Sequence, residues 1–246
     1  LLYKFTDKDT YWTPSGWMNG VLGVDGTKGY LVTPADEKYV GEQLDVIEKL
    51  WFSSYSDDFL KEFLPVKIML CSEIDSVYVT WDFSVTPVQM KYLSQEVQSW
   101  YNYDNICVSY GNIVVTQMTK EDSLAFRSSI SRTFIESMIG RGKTAPTTEF
   151  GESANYDISS SDMYTASKLW AAGIPQLVNS AISEDNDWKT FMMMMVLCPE
   201  EFLTRVPEYN SDWDSTSKNW DGILNPVKDV NGLLKKRYDM VRDYFI

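Results

Sequence analysis

Apolar side chains recur at helical spacing in several stretches of the chain. Val40, Leu44, Ile47, Leu50 and Trp51 share one face of a helix predicted to run from Thr33 to about Phe52. Its start is marked: Thr33 can cap, Pro34 suits the first helical position, and Asp36 and Glu37 suit the positive end of the dipole. A second helix is predicted from Ser56 to Leu64, stopped by Pro65. Strand-forming runs follow at Val66–Cys71 and Ser76–Thr80. From Pro87 to Trp100 the helical period returns through Val88, Tyr92, Leu93, Val97 and Trp100. Asn105–Tyr110 and Asn112–Gln117 read as two strands of a hairpin around Gly111.

The second half reads as helix. Thr119 with Asp122 three residues on has the form of a capped start. Leu124, Ile130, Phe134, Met138 and Ile139 form an apolar face, and Gly140 and Gly142 mark its end. A polar loop to Ser160 leads to helices at Ser161–Ala172, Asn186–Leu197, Pro199–Arg205 and Val230–Phe245. Residues 1–32, rich in glycine and aromatics, read as an irregular arm or short strands, and residues 33–246 as one domain. The predicted class is α+β: a small mixed or antiparallel sheet in the N-terminal half, then a mainly helical C-terminal half.

Composition narrows the function. The 246 residues are 44% hydrophobic, enough for a sizeable core. Against 22 Lys and Arg stand 35 Asp and Glu, a net charge of -13. Such a surface repels phosphates and excludes nucleic acid as a partner; it disfavours anionic lipid equally. No apolar run reaches the roughly 20 residues that span a bilayer. Cys71, Cys107 and Cys198 stand far apart without CxxC spacing, which argues against a metal knuckle, and Cys71 and Cys107, in strand-like runs, read as ordinary buried thiols.

The chain has no histidine. That removes Ser-His-Asp and Cys-His nucleophilic systems. It also gives meaning to the segment Arg132-Thr133-Phe134-Ile135-Glu136-Ser137-Met138-Ile139-Gly140. On a helix Ile135 and Ile139 lie at i and i+4, with Glu136 beside the first. In H-E-x-x-H that arrangement places two zinc-binding imidazoles on one face and a glutamate that activates water. Here the glutamate stands and both ligand positions carry isoleucine. The plainer reading of the same residues is an amphipathic core helix with one solvated or capped glutamate.

Several blocks together resemble the zinc-binding metallopeptidase-like family of bacterial surface lipoproteins, which is found beside outer-membrane glycan-uptake systems. They are Val46-Ile47-Glu48-Lys49-Leu50-Trp51, then Tyr55, Phe63, Pro65 and Lys67-Ile68-Met69-Leu70, followed by Asn112-Ile113-Val114-Val115-Thr116 and Ile130-Ser131-Arg132-Thr133-Phe134. Ser183-Glu184-Asp185-Asn186-Asp187-Trp188 resembles the family's E-D-F-A-E segment; Cys198-Pro199-Glu200-Glu201-Phe202 and the closing run to Phe245 follow in order. The resemblance implies a zincin-like fold, an extracytoplasmic location on a lipid anchor at the outer membrane or cell surface, and work with a glycan-uptake complex. By the family pattern the histidine ligands fall on Ile135 and Ile139, and the later carboxylate ligand near Asn186 or Thr190, neither acidic. The implied catalytic centre is vestigial, with no metal expected. A non-catalytic binding domain for glycan, peptide or a partner protein is the first expectation. An altered hydrolase using Glu136 without histidine-ligated zinc is the second.

Other chemistry is thinner. Asn210-Ser211-Asp212-Trp213-Asp214-Ser215-Thr216 alternates oxygen side chains in a way that suits calcium, yet Ser217 and Ile223 stand where an EF-hand requires Gly and Glu. Trp213 and Trp220, with Asp212 and Asp214, have the aromatic and polar make-up of a sugar-binding loop; the competing reading is a loop anchored by its tryptophans. Glu149, Glu152, Asp157 and Asp162 lie in a polar loop and read as solvated acids instead of a glycosidase pair.

Overall fold

The computed structural model describes residues 29–102, 104–178, 181–208 and 220–245. The chain divides into two compact units, Leu1–Lys143 and Thr144–Ile246. The class is mixed α+β.

The first unit holds a five-stranded mixed sheet. Its strands are β1 (Gly29–Pro34), β2 (Lys67–Asp82), β3 (Gln89–Glu96), β4 (Ser99–Asn102) and β5 (Asn105–Val108). The order is β1-β2-β5-β4, with β3 pairing β2 beyond β5. Only β2 and β5 run parallel; the other pairs are antiparallel. Around the sheet lie α1 (Val40–Leu50), α2 (Asp57–Phe63) and α3 (Lys120–Gly140).

Strand β2 is 16 residues long and merges the two runs predicted as separate strands. It stays continuous because a bulge absorbs the mismatch: Thr33 faces Glu73 while Pro34 faces Cys71, leaving Ser72 over. The extra residue lets Ile74 join Met69 and Cys71 in one core cluster with Cys107 and Trp100. Tyr30 stacks on Trp100 with ring centroids 4.5 Å apart. Cys71 and Cys107 are both free and fully buried. Burial, with Cys107 beside it, pushes the Cys71 thiol well up, so it stays protonated and packs as a small apolar group.

Three predictions in this unit need correction. Gly29–Pro34 is strand, so Thr33 and Pro34 open no helix; of the two forms expected for the opening segment, its described end takes the short strand and not the irregular arm. Asp36 caps instead, accepting from Lys38 N, and α1 starts at Val40 after a single 3-10 turn. Residues 89–96, predicted helical, form β3: eight consecutive pairings with β2 outweigh a helical spacing that any mixed run can show by chance. Residues 113–117, predicted as a strand, form a 3-10 turn capped by the Asn112 side chain. No hairpin forms around Gly111: β5 is paired with β2 and β4, and after Tyr110, at a left-handed φ of 74°, the chain enters the 3-10 turn.

That turn is locked by Gln43 of α1. Its side-chain amide, fully buried, donates to the carbonyls of Cys71, Val108 and Ser109 at 3.2, 2.9 and 2.8 Å. One helix side chain thus ties β2 beside its bulge to the C-terminal end of β5. Gly111 N donates to Cys71 O, and Gly111 O accepts from Asp36 N. The backbones approach so closely that a Cβ on Gly111 would meet Ala35 Cβ, lie 2.7 Å from Gln43 Oε1 and 2.8 Å from Cys71 O.

The second unit is helical: α4 (Thr148–Glu152), α5 (Ala166–Ala171), α6 (Glu184–Leu197), α7 (Glu200–Thr204) and α8 (Leu233–Phe245). Ser183 caps α6 through Asn186 N, and Asp229 caps α8 by accepting from Leu234 N and Lys235 N. The predicted helix over 161–172 shortens to α5, preceded by turns, and the polar loop contains α4. Phe150, Trp188 and Phe191 meet edge to face in the core, and the Trp188 indole donates to Thr144 Oγ1 at 2.9 Å.

Gly111→Ala is expected to cost about 1–3 kcal/mol or more through overpacking against backbone that cannot yield. Urea denaturation of the variant beside wild type measures it.

Candidate functional site

Helix α3 is 21 residues long and opens with a full capping box: Thr119 accepts from Asp122 N, and the Asp122 carboxylate accepts from Thr119 N. Its sides have different tasks. Phe134 lies edge-on to Trp51 and Tyr55, at 5.4 and 5.3 Å between ring centroids. Ser129, Thr133, Glu136 and Gly140, spaced by four, three and four, turn towards β4. Ser99 Oγ of β4 lies 2.8 Å from both Ser129 Oγ and Thr133 Oγ1. A Cβ on Gly140 would sit 3.1 Å from the Tyr101 hydroxyl, so glycine there seats the ring.

Glu136 is half-buried on that side. Burial first, and the Glu136 carboxylate second, raise the Tyr101 phenol above its ordinary range. Tyr30 is raised by burial, held back by a hydrogen bond to Ser76, and raised further by Glu136. One carboxylate therefore sits near two tyrosines at the sheet's rim. Ile135 is 1% exposed and belongs to the core, while Ile139 is half-buried.

Asn186 and Thr190, the positions to which the resemblance assigns a third ligand, belong to the second unit. Asn186 is half-buried and serves the helix start, its N donating to Ser183 Oγ; Thr190 is buried with its hydroxyl donating to Asn186 O at 2.7 Å. These residues do not fit a zinc ion: two of the four positions are aliphatic, the other two carry neutral side chains, and the Thr190 hydroxyl is tied to its own helix. Among the described residues no group of three or more His, Cys, Asp or Glu gathers as a metal site.

The acid within this stretch, Asp187, is committed elsewhere. Asp187 and Arg237 are 1% and 0% exposed and pair at 2.8 Å. Tyr156 donates its hydroxyl to Asp187 at 3.0 Å and accepts from Arg237 Nη2. Arg237 also donates to Gly173 O and, through Nε, to Ser153 Oγ at 3.1 Å. Its guanidinium stacks over Phe150 at 3.9 Å. Burial pushes the Asp187 carboxyl up to about 6, against the downward pull of Arg237 and of the Tyr156 hydrogen bond. The cluster offers no exposed reactive atom, so it acts as a structural tie. Sequence reading passed over it, although a signal existed: Arg237 occupies a core position in the apolar stripe Leu234, Arg237, Tyr238, Val241 of α8.

Asp212, Trp213 and Asp214, and the calcium reading with them, lie outside the described residues. Trp220 is half-buried with its indole N–H buried and unpartnered among the described residues. Beside it Asp221 accepts from Arg205 Nε at 2.6 Å and from Glu208 N at 2.8 Å, so residues 208 and 221 lie within one side chain's reach. Glu149, Glu152 and Asp157 are exposed and Asp162 is half-buried.

No protein-family model, no curated protein and no solved structure matches this chain. Among the described residues no helix is long and apolar enough to cross a membrane.

Arg237→Met should lower stability at neutral pH by about 3–5 kcal/mol, because it leaves a buried carboxyl without its partner. The Asp187 carboxyl is raised in the fold, so the folded state holds its proton more tightly than the unfolded chain does. Its contribution to stability is therefore full below the unfolded value of about 3.9 and is lost as pH rises through about 6. Read against wild type, Asp187→Asn should gain in relative stability across that window and stay level above it, in urea denaturation at stepped pH.

Proposed function

We propose that this chain is a non-catalytic, extracytoplasmic domain of zincin-like descent, tethered at the outer membrane or cell surface, which binds a glycan, a peptide or a partner protein of a nutrient-uptake complex. The observation that carries the reading is at α3. Where the resembling family places its first imidazole, this chain has Ile135 packed in the core, while Glu136 beside it remains half-buried next to Tyr30 and Tyr101. Filling a ligand position with an apolar side chain removes the cost of an empty polar site. A carboxylate flanked by tyrosines can still accept hydrogen bonds from sugar hydroxyls or peptide amides. The lipid anchor and the uptake complex rest on the resemblance alone.

The second reading is an altered hydrolase in which Glu136 acts as a base without histidine-ligated zinc. Its support is that a half-buried carboxylate survives where the family keeps its catalytic one. Tyr30 and Tyr101 would then position a substrate.

Elemental analysis of the purified chain, a peptide-cleavage assay and a glycan array separate the two readings. Far less than one zinc per chain is expected, with no cleavage and with retention of a glycan or peptide that Glu136→Gln weakens about tenfold, the loss of one charge-assisted hydrogen bond. Stoichiometric zinc, or cleavage abolished by Glu136→Gln, would overturn the first reading.

A further inference from the structure

The β2–β3 ribbon ends in an apolar tip. Among the described residues, which begin at Gly29, β1 pairs with β2 as far as Val77. Among the described residues, β2 from residue 78 onward pairs with β3 alone, through Asp82 opposite Gln89. Five further residues of ribbon extend about 17 Å at the usual rise per residue. At its end Trp81 is 52% exposed, Phe83 79%, Val85 39% and Val88 46%. Asp82 folds the turn, its carboxylate accepting from the backbone N and the hydroxyl of Ser84. From Phe83 to Met90 no residue is charged, in a chain that is 23% charged overall. The charges begin again further down the ribbon, with Lys91 opposite Thr80 and Glu96 opposite Asp75.

Four apolar side chains at one end of a two-stranded ribbon are not needed for the core. With residue areas of about 150–250 Å², the exposed fractions amount to roughly 400 Å². A standard protein interface takes about 800 Å² from each partner, so the tip alone is too small to hold a second copy or another folded protein. A lipid surface makes no such demand, because it closes around whatever enters it. Trp and Phe are favoured at the boundary between headgroups and acyl chains, and the tip's one ion, the Asp82 carboxylate, is already tied to the Ser84 backbone N and hydroxyl. The net charge of -13 rules out attraction to anionic headgroups.

We infer that the β2–β3 tip is a membrane-contacting finger, in which Trp81, Phe83, Val85 and Val88 insert into the interfacial layer of a bilayer with zwitterionic headgroups. Insertion is driven by apolar burial and not by charge. The inference stands apart from the proposed ligand-binding role and from any lipid anchor, since it needs only the ribbon.

The test is flotation of the purified 246-residue chain with phosphatidylcholine vesicles, with and without phosphatidylglycerol, and with sizing of the free chain. Wild type should float with phosphatidylcholine vesicles, equally well from about 0.1 to about 0.5 M salt, and no better with anionic lipid. Phe83→Ser combined with Val88→Ser should reduce partitioning by about tenfold or more, with an unchanged unfolding midpoint, because both side chains lie at the solvent-exposed tip. Brominated lipid should quench fluorescence in wild type more than in Trp81→Phe. Absence of flotation, equal flotation of the double variant, or loss in that variant of a wild-type dimer seen by sizing would each overturn it, the last by making a second copy the occupant.

Discussion

Helix α3 has to satisfy two neighbours at once, and most of the first unit follows from how it does so. One side carries Phe134 into the rings of Trp51 and Tyr55. The other brings hydroxyls and a glycine against β4, where Ser99 and Tyr101 meet them. Between these demands Ile135 has no exit to solvent. A donor side chain there would exchange a good apolar contact for a buried polar group. Ile135 is thus one of the residues that hold the helix in place.

The second unit depends on a different solution. Arg237 on α8 draws together the ends and turns around α4, α5 and α6 through Ser153, Gly173, Tyr156 and Asp187. A guanidinium with a fixed fork of donors can serve several acceptors in one plane, which an ammonium cannot. Burial of the pair makes its partners interdependent: removing one leaves the other charged and dry. Asp187 thereby has a structural task, although it lies in the stretch that resembles an acidic ligand segment.

Helices were legible in the sequence where capping and periodicity agreed. Thr119 with Asp122 for α3, Ser56 for α2 and the apolar stripe of α8 all appear where those signals place them. The mixed α+β class was legible for the same reason. The errors fall where non-local pairing decides the outcome: β3 has a helical spacing but is drawn into the sheet by β2, and the turn at Tyr110 and Gly111 depends on Gln43, far away in sequence. At the candidate site, the aliphatic pair and the glutamate could be read from spacing. Their neighbours Tyr30 and Tyr101 could not, since they come from strands whose register no local signal reveals. The Arg237 cluster was visible only as a charge in an apolar stripe, a pattern that marks a buried partner without naming it.

The most direct measure of whether position 135 is core or a site is the stability of Ile135→Ala, with and without added zinc. If the side chain is core, the variant loses about 2–5 kcal/mol, and micromolar zinc leaves the wild-type unfolding midpoint where it was. A variant as stable as wild type, together with a wild-type midpoint that rises with zinc, would contradict the claim that an apolar side chain has closed this position.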